Sequence, residues 1–80
     1  ASYDRALELK PDFEESWTNR GNALYHMGNI DEAIESYDRA LALRPDAATI
    51  WYNKACCYAI QGKADLAYEH LQRAIELSPE

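Results

Sequence analysis

Apolar residues return at intervals of three and four along this chain, the spacing of one helix face, and short breaker sequences interrupt them at regular places. Tyr3, Ala6 and Leu7, with Lys10 beside them, predict a helix over 2–9. Pro11 ends it, because the residue before a proline is pushed out of the helical region. Trp17, Gly21 and Leu24 mark the buried line of a helix over 14–27, where the bare Gly21 lets a partner helix come close and Ala55 serves the same purpose later. Gly28-Asn29 stops that helix, since glycine takes the left-handed conformation that satisfies the last carbonyls.

A third helix follows over 31–43, capped by Asn29 or Asp31, with Ile30, Ala33, Ile34, Tyr37, Ala40 and Leu41 on its apolar side. Arg44-Pro45-Asp46 closes the unit, and the plan runs again: a helix over 48–61, a turn at Gly62-Lys63, and a helix over 65–77 with Ala64, Ala67, Leu71, Ala74 and Ile75 inward. Connections this short force each helix pair into an antiparallel hairpin.

The repetition is literal. A shift of 34 residues carries Trp17 to Trp51, Asn19 to Asn53, Gly28 to Gly62, Asp31 to Asp65, Ala33 to Ala67, Ala40 to Ala74 and Pro45 to Pro79. The reverse shift carries Pro45 to Pro11 and lays the hexapeptide SYDRAL at 36–41 onto an identical hexapeptide at 2–7. The register divides the chain into a half repeat, 1–13, and two repeats, 14–47 and 48–80, within one domain spanning 1–80.

This period, with tryptophan, a small residue, glycine, two alanines and proline at these offsets, resembles the tetratricopeptide repeat family. The resemblance implies an all-α fold of five helices, antiparallel helix-turn-helix repeats stacked into a right-handed superhelix, or α-solenoid. It also implies a groove that binds peptides or proteins without catalysis. Departures from the family pattern are few: Arg20 and Lys54 stand where leucine is usual, and Leu24 and Leu71 replace aromatics. Long basic side chains are expected there to lay their stems on apolar neighbours and keep the charge in water.

Composition narrows the partners. A chain of 80 residues buries only about 60–65% of its unfolded surface, so its repeats must share a core. A formal charge of −6 disfavours nucleic acid and anionic membranes, and no apolar run approaches the roughly 20 residues that span a bilayer. Cys56 and Cys57 are neighbours in a helix and point about 100° apart, so free thiols are expected, which fits a reducing, cytoplasmic setting.

Once the buried lines are removed, one side of each first helix remains. It carries Thr18, Asn19, Asn22, Tyr25 and His26 in the first full repeat, and Thr49, Tyr52, Asn53, Cys56, Ala59 and Ile60 in the second. If the stack follows its family, these sides line one concave wall, and Asn19 and Asn53 are the pair expected to hold a peptide backbone, with Tyr25 and Tyr52 adding contact area. The carboxylate clamp that some relatives use for chaperone tails is disfavoured. Asn22 and Asn53 match two of its slots, but Thr18 replaces a lysine, and in the shifted register Thr49 and Asn53 occupy the lysine and arginine slots.

Trp17 and Trp51 belong to the core rather than to a ligand. Cys56 beside His26 has neither an orienting third group nor an oxyanion site, and His26 and His70 lack metal-ligand spacing, so no catalysis, cofactor or metal is expected. The expected partner is a peptide or protein. The alternative is a scaffold segment that self-associates end to end, each copy covering the bare last helix pair of the next.

Overall fold

The computed structural model describes residues 13–78, in which four helices follow one another: α1 (Glu14–His26), α2 (Ile30–Leu43), α3 (Ala48–Ile60) and α4 (Ala64–Leu77). The expected helix over 2–9 lies outside the described residues. No strand occurs among the described residues. α1 packs on α2 and α3 on α4 as antiparallel hairpins, and the hairpins meet where α3 lies against α2.

Each hairpin turn is built the same way. After α1, Gly28 takes a φ of +85° and its N–H reaches the Tyr25 carbonyl at 3.0 Å, while the Asn29 N–H reaches the Leu24 carbonyl at 2.8 Å. This crossed pair satisfies carbonyls that the helix end would otherwise orphan. Gly62, with a φ of +78°, repeats it: its own N–H meets the Ala59 carbonyl at 3.1 Å and the Lys63 N–H meets Tyr58 at 2.9 Å. Asn29 does occupy the cap position of α2, but neither it nor Asp31 caps through its side chain; the Asp31 carboxylate instead accepts from Gln61 Nε2 at 2.5 Å.

The core lies where three helices converge. Leu24 of α1, Ala33, Tyr37, Ala40 and Leu41 of α2, and Ile50 and Cys57 of α3 form one buried cluster. Ala33 and Ala40 are fully enclosed, small residues that let the helices approach closely. The Tyr37 ring packs against Gly21, where an added Cβ would stand 2.6 Å from its Cε1, so the bare glycine makes room for the ring. Trp17 and Trp51 are half-buried and pack against the edge of this cluster rather than inside it. The Trp51 indole donates to the Pro45 carbonyl at 2.9 Å and so pins the turn between the hairpins.

Two expectations are corrected. Lys54 does not hold its charge in water: the residue is 7% exposed and its ammonium meets Asp38 at 2.5 Å, across the interface between hairpins. Burial of the stem drags the head inward, and a carboxylate on the neighbouring helix compensates it. On α4, only Ala74 of the expected inward face is buried and Ala67 is half-buried, whereas Ala64, Leu71 and Ile75 are exposed. Their counterparts on α2 are covered by α3; α4 has no such neighbour among the described residues.

Candidate functional site

Where the two hairpins meet, α1 and α3 present a cavity of about 220 Å³ between them. Its walls are Asn22, Tyr25 and His26 from α1 and Asn53 and Cys56 from α3, and Tyr37 of α2 contributes its hydroxyl end. Five of the eleven residues expected to face a groove are therefore brought together, from both repeats.

The others are placed differently. Thr18 turns its hydroxyl back to the Glu14 carbonyl at 2.8 Å, and Asn19 is exposed and outside the cavity lining. Thr49 and Tyr52 line a separate depression beside α4, and Ala59 and Ile60 stand in the open near the end of α3.

The polar order of the cavity rests on Asn22. Its Oδ1 accepts from the Tyr37 hydroxyl at 2.5 Å and from Asn53 Nδ2 at 3.3 Å, the longer contact being the weaker. A side-chain carbonyl with two acceptor sites is thereby filled, and the Asn22 NH2 and the Asn53 carbonyl take no part in these two bonds. No other hydrogen bond to either group is found among the described residues. Between them the two side chains retain two donors and an acceptor at the cavity lining.

Tyr37 escaped the sequence reading, which placed it wholly in the core. The signal was available: a phenol on a buried helix face needs a partner for its hydroxyl, and position 71, its counterpart, carries leucine instead. Burial raises the Tyr37 phenol well above its ordinary value, with Cys57 adding to the effect, so the hydroxyl remains a donor throughout the neutral range.

The cavity lining holds no lysine, arginine, aspartate or glutamate. Tyr25 and His26 meet edge to face, ring centroids 5.7 Å apart, and form an aromatic rim. Cys56 is a half-buried free thiol, while burial pushes its neighbour Cys57 up to about 11, aided by Cys56 and opposed by Lys54. Among the described residues no three His, Cys, Asp or Glu side chains are placed to hold a metal ion, and no helix is long and apolar enough to cross a membrane.

Tandem antiparallel hairpins, related by a 34-residue shift and sharing one core, define a helical-repeat protein. The family model described as tetratricopeptide repeat matches residues 1–41 and again 18–80, and the chain belongs to that family. Among solved structures, a MamA point mutant is 31% identical, with a TM-score of 0.91 over 98% of this chain and 57% of its own. MamA AMB-1 is 32% identical with a TM-score of 0.89 over 94% of this chain and 44% of its own. YrrB, described as a TPR protein with an unusual peptide-binding site, is 29% identical with a TM-score of 0.92 over 98% of this chain and 40% of its own. The chain therefore spans about half the length of these structures, or less. No curated protein matches it.

Proposed function

We propose that residues 1–80 form one stack of repeats, part of a right-handed superhelix, that serves as a protein-interaction module and holds an extended segment of a partner along its concave wall. The observation that carries this is the cavity shared by two repeats, in which Asn22 and Asn53 are fixed against each other with donors and an acceptor left over. An extended peptide presents alternating N–H and C=O groups whatever its side chains, so an amide pair engages it by backbone. The uncharged rim of Tyr25, His26 and Cys56 then admits neutral side chains. Thr18 and Asn19, one turn earlier on α1, extend the wall, whereas Thr49, Tyr52 and Ile60 on α3 fall outside it. That YrrB is described as having a peptide-binding site agrees with this assignment without fixing where it lies.

Selection of short random peptides against the intact chain, followed by amide chemical-shift mapping, tests the proposal. Bound peptides should perturb Asn22, Tyr25, Asn53 and Cys56, and Asn53→Ala should weaken them roughly tenfold, the loss of one or two hydrogen bonds in a partly enclosed site. Asn53 is the cleaner target, because Asn22→Ala would also strip Tyr37 of its acceptor. Perturbations confined to other surfaces, or affinity unchanged in Asn53→Ala, would refute the groove. End-to-end association of copies is favoured by a separate observation, the uncovered face of α4, and would appear as concentration-dependent sedimentation.

A further inference from the structure

The oxygen and nitrogen of an asparagine amide are nearly alike in shape, so a pair of amides can turn over together unless a neighbour tells the two atoms apart. At the cavity that neighbour is Tyr37. Its hydroxyl lies 2.5 Å from Asn22 Oδ1, a separation that suits O–H···O and falls short of the N–H···O range. Were Asn22 turned over, its NH2 would donate to the phenol, and the phenol proton would lose its acceptor in a residue that is 1% exposed. With Asn22 Oδ1 held in place, Asn53 meets it with Nδ2 rather than Oδ1, at 3.3 Å. One phenol therefore sets both amides: the unspent donors belong to α1 and the unspent acceptor to α3.

The 34-residue register shows the set as a unit. Position 22 recurs as Cys56 and position 37 as Leu71, so the repeat that lacks the phenol also lacks the amide it would orient. In an extended chain the N–H and C=O of one residue leave on the same side as a closely spaced pair, the N–H first in the direction of the chain. Two amides bonded to each other match that pair rather than the wider one that spans two peptide units.

We propose that Tyr37 is a positioning residue that fixes the direction of the bound segment. The partner gives the N–H of one residue to Asn53 and takes a bond from Asn22 on the C=O of that same residue. It therefore runs from α3 to α1, against the order of the repeats, and its anchoring residue is not proline, which has no N–H. This inference rests on the groove reading above and gives that groove a polarity.

The probe is the tightest linear peptide from the selection above, carrying a nitroxide at its N-terminus or its C-terminus and bound to the intact chain. The N-terminal label should broaden the amides of α3 more strongly than those of α1, and the C-terminal label the reverse. N-methylation of one interior residue should weaken binding roughly tenfold. In Tyr37→Phe, and in Tyr37→Leu, which carries the residue of the second repeat, the amides turn over freely and each label should broaden both helices comparably. Tyr37→Phe should keep the affinity within about threefold, because either arrangement of the amides binds one direction of the peptide. A reversed or mixed pattern in the unmodified chain, no N-methylation that weakens binding, or a direction retained in both Tyr37 variants would each overturn the proposal and leave the groove standing. Shifts away from the cavity would remove both.

Discussion

Gly21→Ala sets two known effects against each other, and the geometry around Tyr37 decides which is larger. In a helix interior, alanine is favoured over glycine by about 1 kcal/mol. Here the new Cβ would lie 2.6, 2.8 and 3.0 Å from Cε1, Cδ1 and Cζ of Tyr37, the first two closer than real Cβ contacts come and the third tighter than most. The ring has little freedom to yield: it is 1% exposed, enclosed by the shared core, and tied to Asn22 through its hydroxyl. Overpacking of this kind costs about 1–3 kcal/mol, and three contacts on an immobile ring put it in the upper part of that range, for a net loss of about 1–2 kcal/mol. For a chain of this size the melting temperature should fall by roughly 4–16 °C in calorimetry or circular dichroism. The second repeat supplies the control. It already carries Ala55 with Leu71 in place of Gly21 with Tyr37, so Gly21→Ala combined with Tyr37→Leu should be less destabilised than the sum of the single changes by about 1 kcal/mol. A single variant as stable as the parent, or strictly additive costs, would show that the ring does not set the spacing of α1 and α2.

Asp38→Ala should cost about 1–2 kcal/mol in urea unfolding, less than a fully buried pair because Asp38 is half-exposed, whereas Lys54→Met should be near neutral or stabilising; the reverse order would refute the account of the ion pair. Gly28→Ala and Gly62→Ala should each cost about 1–2 kcal/mol through backbone strain alone, as nothing lies within 4 Å of either added Cβ; thermal melts unchanged in both would contradict the turn geometry. Iodoacetamide should label Cys56 well before Cys57 in the native chain, read by peptide mass spectrometry. Because burial raises the folded pKa of Cys57 from 9.0 to about 11, its contribution to stability is complete below pH 9 and is lost as pH climbs toward 11. Cys57→Ala should flatten that part of the stability curve, and an unaltered alkaline slope would count against it.

The four described helices were legible almost to the residue. The expected 14–27, 31–43, 48–61 and 65–77 differ from the observed spans by one residue at an end, because glycine turns and the recurring proline fix boundaries locally. What depends on how one hairpin sits against the next was not legible. Lys54 looked like a solvated departure until α2 placed Asp38 beside it. Asn19 and Asn53 are equivalent by repeat, and that equivalence suggested that they act as a pair. The stacking instead brings Asn53 to Asn22, three residues further along α1, and leaves Asn19 outside the cavity. A repeat tells which positions are alike; the offset between hairpins, set by side-chain packing, tells which of them meet.

That offset is held by polar as well as apolar contacts. Apolar packing between α2 and α3 would tolerate small slips, since alanine and leucine accept many neighbours. Lys54 with Asp38, Asn22 with Tyr37 and Asn53, and Gln61 with Asp31 do not, because each bond has a length and a direction and the first two lie partly or wholly out of water. A slip of one residue would leave a buried ammonium and a buried phenol without partners, a penalty of several kcal/mol, comparable with the whole stability of so small a domain. The contacts that order the hairpins therefore also hold the Asn22 and Asn53 amides in register at the cavity.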